Sequence, residues 1–321
     1  MRRLFLCCVA ALAAVGPLAA QESSQRPVRI IVPVPAGGGT DALARKLAER
    51  MAGTLGQAVI VENRTGSGGL IGAAAVARSK PDGHTLLLGF TGILSISPSL
   101  YQSLPLDPQR ELEPVTMLVT SPLLLVARKG GPIGSLDDLL RLGRQEPGPS
   151  YGTPGKGTSM HLTGELLTRT AGIHFLHVPY RGSIDALQSL LGGQIDTAIS
   201  DVPFYLPYLQ SGRIQGLGIT GARRHPMLPD VPTFAERGLA QLDGFVSWQG
   251  LFAPSGTPAA ALDRIRGAAI GAMRSPELRA FMVGQGYTVD TTSGRDFKRF
   301  IVEDAARWGR VIREAGVRID P

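Results

Sequence analysis

The chain has 321 residues, with 33 Lys and Arg against 26 Asp and Glu, a formal charge of +7, and only 6% aromatic residues. Its basic residues are dispersed, with no run longer than Arg223-Arg224, which argues against the clustered, aromatic-interleaved basic surface of a nucleic-acid binder. Both cysteines, Cys7 and Cys8, lie near the N-terminus, so the rest of the chain has no thiol for a disulfide, a nucleophile or a metal.

The first twenty residues read as an export signal. Arg2 and Arg3 form a positive start, residues 4–18 are largely apolar, and Ala19 and Ala20 supply the small residues of a cleavage site before a polar stretch. A membrane anchor needs about 20 apolar residues, and this run is shorter. The sequence therefore predicts a signal peptide over residues 1–20, cut near Ala20, and an exported mature chain. The paired arginines leave the general and the twin-arginine export routes both open. Without Arg2 and Arg3 the balance falls to 31 basic against 26 acidic residues, or +5. That mild excess favours encounter with anionic solutes. A thiol-free chain must rely on its core, and at roughly 300 residues it buries about 75% of its unfolded surface.

Short β-branched runs alternate with helical ones from there on. Residues 28–34 read as a buried strand, 41–55 as an amphipathic helix, 59–63 as a strand, 71–78 as a helix and 85–89 as a strand. A second series follows: strand 123–127, helix 135–142 behind Ser135 as N-cap, a strand from 149, helix 161–171, strand 174–179, helix 183–191 and strand 196–200. Such alternation predicts βαβ units and a mostly parallel sheet. The last third is helical, over residues 258–274, 276–285 and 295–315, with Pro258 and Pro276 in first turns where a missing N–H costs nothing. No Gly/Ser or Pro-rich linker separates the halves, which fits two hinged lobes.

The segment from Pro33 to Asp41 carries the clearest chemistry. A strand ends, Gly37, Gly38 and Gly39 turn the backbone, and a helix starts near Thr40 or Asp41. Glycines let backbone N–H groups approach a ligand, and a helix start adds the positive end of its dipole, so the segment reads as an anion cradle. It lacks the Lys of a phosphate-binding P-loop and the Gly-x-Gly-x-x-Gly of a dinucleotide site. With no cationic side chain close by, carboxylate fits better than phosphate. Two further loops at strand ends share this character: Gly89 to Gly92, with Ser95 and Ser97 behind, and Thr153 to Ser159. Open α/β sheets bind ligands beyond the carboxyl ends of their strands, and three such loops split between two lobes favour a cleft.

Catalysis is poorly supported. No Gly-x-Ser-x-Gly elbow exists, and the five histidines (His84, His161, His174, His177 and His225) show no metal-binding spacing. His174 and His177 fall on opposite faces of one strand. Trp248 reads as core.

Together these segments resemble the Bug-type solute-binding proteins of tripartite tricarboxylate transporters. The likeness runs from about Arg26 to Gly316 and includes IVPVPAGGGTDALARKLAERM, LGQAVIVENRTGSGGLIGAAAVARSKPDGHTLLLG, SPSLYQSLPLDP, HVPYRGSIDALQSLLGGQID, LPDVPTFAERG and FVSWQGLFAPSGTP. It implies an α/β, type II periplasmic-binding-protein fold, with two lobes joined by crossover strands near 123–127 and 246–253 around a ligand cleft. The implied division is residues 27–124 plus 246–321 for the first lobe and 125–245 for the second. The implied carboxylate contacts are Pro35, Ala36, Gly38, Thr40 and Asp41, with Thr91, Gly92 and Ser95 beside them. The second lobe would add Thr153, Gly155, Lys156, Gly157, Thr158, Tyr180, Arg181 and Asp201.

The chain departs from the family pattern in places. Pro154, Lys156 and Ser159 replace residues of a usual Ser-Ala-Gly-Asn/Thr-Gly-Ser-Pro loop; Lys156 is either a contact for a second carboxylate or a solvated lysine. Ser97 stands where Asn is usual. Ser200-Asp201 replace a common Asp-Asn; an acidic residue there can pair with a ligand ammonium, so the resemblance does not carry amino-acid specificity over to this chain. The resemblance implies a monomer without cofactor, metal or catalysis, closing on its solute. It would serve a membrane permease or, alternatively, a membrane sensor.

Overall fold

A computed structural model describes residues 26–319; the expected signal peptide lies outside them. The chain begins with β1 (Val28–Val32), whose VRIIV sequence suits a strand buried on both faces, and α1 (Gly39–Leu55) follows. Leu43, Ala44, Leu47, Ala48 and Met51 recur on one face of α1 and are all buried, and Gly56 ends the helix in the left-handed conformation. Then come β2 (Val59–Asn63), α2 (Leu70–Ala77), β3 (Thr85–Phe90), a π-helical turn (Gly92–Ile96), α3 (Ser97–Leu100) and α4 (Pro108–Glu111).

The next strand, β4 (Leu112–Arg128), is 17 residues long and belongs to both sheets. From Leu112 to Pro122 it pairs with β9 (Val246–Pro254); from Leu123 on it pairs with β7 (Thr197–Asp201) and β8 (Ile214–Ile219). The sequence shows only its second half as a strand because Pro114 and Pro122 interrupt the first. Both prolines sit where a lost N–H is tolerated: Pro114 beside a register shift and Pro122 at the exchange of partners. Among the described residues, β9 itself pairs only with β3 and β4.

Between β4 and β9 lie α5 (Leu136–Leu142), β5 (Ser150–Thr153), α6 (Ser159–Ala171), β6 (Leu176–Pro179), α7 (Ser183–Leu191), β7, α8 (Val202–Gln210) and β8. Ser135 does cap α5, accepting the Asp138 N–H. The chain ends with α9 (Ala259–Arg274), α10 (Pro276–Gly284), β10 (Thr288–Val289) and α11 (Gly294–Ala315). Helix α8 and strand β8 escape the sequence reading. Pro203 and Pro207 disguise the helix, and Gly216 and Gly218 the strand. A methyl group on Gly218 would lie 2.8 Å from the Phe234 ring, so close packing requires glycine there.

The strand order is β2-β1-β3-β9-β4-β7-β5-β6, with β8 and β10 also on β4. The expectation of a mostly parallel sheet needs correction. Among the described strands, parallel ladders are confined to β2-β1-β3 and β7-β5-β6, while every ladder of β4 and β9 is antiparallel. The long strand reverses direction between the βαβ units, which local alternation cannot reveal.

Each sheet is covered on both faces. In β4, Leu123, Leu125 and Ala127 enter one core cluster, and Leu124 and Val126 enter another on the opposite face. Helix α11 joins the lobes: Phe297 and Ile301 pack into the first-lobe core with Trp248 and Phe252, while Trp308, Val311 and Ile312 pack into the second with Leu123 and Leu125.

Candidate functional site

The loop between β1 and α1 is exposed from Pro35 to Gly39, with Thr40 half-buried. No side chain caps the start of α1 at Gly38, so its first N–H groups are not taken by a capping residue. Asp41 organises this loop. Its Oδ2 accepts the Gly37 N–H (3.0 Å) and the Arg45 Nε–H (2.9 Å); its Oδ1 accepts from Arg45 (3.0 Å) and from the Asn63 amide (2.9 Å), which also donates to the Val34 carbonyl. The Arg45 guanidinium first, with Gly37 and Asn63 adding to it, lowers the Asp41 carboxyl to about 2 against the opposing effect of burial. Asp41 is thus occupied as a clamp. Arg45 and Asn63, overlooked in the sequence, complete it; the i,i+4 spacing of Asp41 and Arg45 is the signal that could have found Arg45.

Thr91 and Ser95 are also turned inward. The Thr91 hydroxyl accepts the Trp248 N–H (2.9 Å), and Ser95 is fully buried with its hydroxyl against Asp304. Asp304 accepts from the Trp248 indole (2.9 Å) and from Arg307 (3.3 Å); burial raises its carboxyl above the ordinary range despite these bonds. Trp248 is fully buried among Phe252, Phe297 and Phe300. Gly92 is half-buried, and the Ser97 hydroxyl donates back to the Ile93 carbonyl (2.7 Å).

In the second lobe a histidine pair underlies the loop from Thr153 to Thr158. His161 and His177 stack at 3.9 Å. The Gly157 N–H donates to His161 Nδ1 (3.0 Å), His161 Nε2 lies 3.4 Å from Glu165, and His177 Nε2 is 2.7 Å from the Thr153 hydroxyl. Tyr151 donates to Glu165 (2.7 Å). Thr158 caps α6, accepting the His161 N–H and donating to the Gly155 carbonyl (2.8 Å). Burial first, then the neighbouring His161, lowers the His177 imidazole to about 4. Burial alone would raise Glu165, but His161 and Tyr151 outweigh it and hold the carboxyl below its ordinary range. Lys156 is exposed at the loop tip. Tyr180 is half-buried, its N–H bonded to the Thr153 carbonyl (2.9 Å), and Arg181 is exposed.

Asp201 ends β7, opposite Leu123 at the point where β4 changes partners. It accepts from Ser247 of β9 (3.4 Å) through Oδ2, and burial pushes its carboxyl up to about 7. Tyr205, Gln249 and Tyr287 gather near it, and the sequence reading names none of them. Gln249 bonds the Tyr287 hydroxyl, and a methyl group on Gly39 would stand 3.0 Å from that hydroxyl, at the start of α1. A single glutamine inside the apolar strand VSWQGLFAP is the sequence signal for this group.

The two lobes touch nearby. A methyl group on Gly157 would lie 2.5 Å from Leu100, one on Gly286 would lie 3.1 Å from Val202, and His225 Nε2 is 3.1 Å from the Gly286 carbonyl. Among the described residues, no three His, Cys, Asp or Glu side chains are placed to hold a metal ion, and no helix is long and apolar enough to cross a membrane.

Two α/β lobes that share a continuous strand, with glycine-rich loops at their strand ends, define a two-lobed solute-binding protein. The sequence profile of the tripartite tricarboxylate transporter family receptors matches residues 43–317, and the chain belongs to that family. Bordetella pertussis BugT is 34% identical over 315 residues, 97% of this chain and 96% of its own. Two solved structures from Rhodopseudomonas palustris are similar at 32% identity. Rpa4515 with adipate has a TM-score of 0.83, covering 92% of this chain and 99% of its own. MatC with bound malate has a TM-score of 0.78, covering 89% and 99%. The family consists of binding receptors, and this member is not an enzyme.

Proposed function

We propose that the protein captures a small carboxylate between its lobes in the periplasm and presents it to the membrane permease of a tripartite tricarboxylate-type transporter. The observation that carries this reading is the first-lobe loop: exposed glycine N–H groups at an uncapped helix start, held open by an Asp41 carboxylate that is itself fully engaged. Such an arrangement attracts an anion without supplying a competing one. Bound adipate and malate in the two relatives support carboxylate as the solute class.

In this reading the backbone N–H groups of Ala36 and Gly38, with Thr40, receive the carboxylate, and Pro35, which has no N–H, shapes the loop before them. Asp41, Thr91 and Ser95 fix the loops behind it, and Gly92 admits close approach. Thr153, Gly155, Gly157 and Thr158 shape the facing loop, where Lys156, Tyr180 and Arg181 complete the cover. We place the first lobe at residues 27–124 plus 246–321 and the second at 125–245, a division supported by the change of β4 partners after Pro122. The protein acts as a monomer.

Calorimetric titration of the mature, refolded chain with mono-, di- and tricarboxylates tests capture. Stoichiometric binding of one class supports it, and silence across all of them contradicts it. Uptake of labelled solute by cells lacking the gene tests delivery. Loss of uptake supports the permease, whereas intact uptake with loss of a solute-induced response assigns the protein to a sensor.

A further inference from the structure

The second lobe holds a cavity of about 160 Å³ at the end of its sheet that lies away from the solute loops. Arg128, the last residue of β4, lines it with Gly131, Ile133, Gly193 and Asp196. Its place follows from the strand register. Leu123 stands opposite Asp201 at the carboxyl end of β7, and Ala127 stands opposite Thr197 at the other end. At about 3.3 Å per residue, the steps from Leu123 to Arg128 cover roughly 17 Å, so the cavity is separate from the cleft. A single water needs only about 10–15 Å³, which leaves room for a small polyatomic ion.

Arg128 is half-buried, yet its guanidinium enters no hydrogen bond or ion pair among the described residues. A methyl group on Gly131 or on Gly193 would stand 3.8 Å from its Nη2, so two residues without side chains flank it. Nor does it cap α7: the carbonyls of Gln188, Ser189 and Leu190 already accept the N–H groups of Gly192, Gln194 and Gly193. Lys129 and Arg213 add two exposed cations at the same sheet end, where the Lys129 N–H donates to the Arg213 carbonyl. Neither has an acidic partner among the described residues. A partly desolvated cation without a countercharge is costly, and three cations at one sheet end draw an anion.

Asp196 restricts which anion fits. Its Oδ2 accepts the N–H and the hydroxyl of Ser150, each at 2.8 Å, and its Oδ1 has no donor among the described residues. A fully deprotonated anion meets that carboxylate as a like charge, whereas an anion that keeps a hydroxyl donates to it. Inorganic phosphate keeps at least one proton near neutral pH, and its remaining oxygens suit the guanidinium fork. Sulfate keeps none, and a phosphomonoester, with its second pKa near 6, has mostly lost its own.

We propose that this cavity is a second binding site, specific for inorganic hydrogen phosphate, with two phosphate oxygens on Arg128 and the hydroxyl on Asp196. It works independently of the solute cleft.

The test is calorimetric titration of the mature protein at pH 7.5, in a buffer free of phosphate, with sodium phosphate, sodium sulfate and methyl phosphate. The expected result is one phosphate per chain, with sulfate and methyl phosphate at least tenfold weaker. Arg128→Gln should weaken phosphate at least tenfold and keep the wild-type melting temperature, because it strands no partner. Gly38→Pro, which disrupts the solute loop, should leave phosphate binding intact. Absence of phosphate binding by the wild type overturns the proposal, and so does sulfate or methyl phosphate binding as tightly. Phosphate binding that is lost in Gly38→Pro and retained in Arg128→Gln also overturns it, because the anion then sits in the cleft. The wild-type series decides by itself if a variant fails to fold. Carboxylate capture stands or falls separately, on its own titration.

Discussion

The Gly157 N–H donates to His161 Nδ1 across 3.0 Å, and this one bond fixes which imidazole nitrogen carries the proton. Nδ1 must be unprotonated to accept, so the proton sits on Nε2 and points at Glu165, 3.4 Å away. The glycine loop of the second lobe is therefore shaped by a histidine that accepts on one ring nitrogen and faces Glu165 with the other. Replacing His161 by Phe keeps the ring stacked on His177 but removes the acceptor. We expect that variant to lose about 1–3 kcal/mol through the stranded Gly157 N–H, and to bind solute more weakly, measured by denaturant melts and calorimetry.

His177 makes the same region sensitive to acid. Burial lowers its imidazole from 6.5 to about 4, so between those values the unfolded chain binds the proton more readily than the folded one. The sign follows: this contribution is complete above pH 6.5 and is lost as pH falls toward 4, by roughly 1–3 kcal/mol. Melting temperatures measured from pH 7 to 4.5 should fall less steeply in His177→Gln than in the wild type. Parallel slopes contradict the assignment.

Asp41 works in a lower window. Its carboxyl is held at about 2 against an ordinary 3.8, so its stabilising effect is present above about pH 4 and disappears toward pH 2. Asp41→Ala removes the clamp on Gly37 and Asn63 and should cost about 1.5–3 kcal/mol, with solute affinity falling at least tenfold because the loop amides lose their arrangement. An Asp41→Ala protein that binds as tightly as the wild type would show the clamp to be dispensable.

The lobe contact at Gly157 can be probed by size. Its φ of +78° disfavours any side chain, and a methyl group would meet Leu100 at 2.5 Å. Gly157→Ala should hold the lobes apart. Small-angle scattering with saturating solute should then show a larger radius of gyration than for the wild type. An unchanged radius contradicts a closing contact at this position.

Much of this organisation is legible in the sequence because local signals are strong where one strand leads into one helix. The triple glycine after VRIIVPV, the Ser135 cap and the helical repeat after Pro258 each carry their own evidence. What escapes is non-local. The single strand 112–128 is hidden by Pro114 and Pro122, and its antiparallel role depends on partners more than 70 residues away, such as Asp201 opposite Leu123. The candidate site divides in the same way. Loops announce themselves through glycine, whereas Gln249, Tyr205 and Tyr287 are ordinary residues until the fold gathers them around Asp201. Side-chain direction is equally silent: Asp41, Thr91 and Ser95 stand in the predicted loops, yet their polar atoms are bonded or turned inward.

The central claim is capture of a carboxylate between the lobes. Its most direct test is a thermal-shift titration of the refolded mature protein with a carboxylate panel, ligand being removed beforehand by unfolding. Saturation at 100 times the dissociation constant adds about 2.7 kcal/mol, which raises the melting temperature of a protein this size by roughly 4–5 °C. The account predicts such a shift for at least one carboxylate and its loss when the α1 loop is disrupted by Gly38→Pro. No shift with any carboxylate, or a shift that survives in Gly38→Pro, contradicts it.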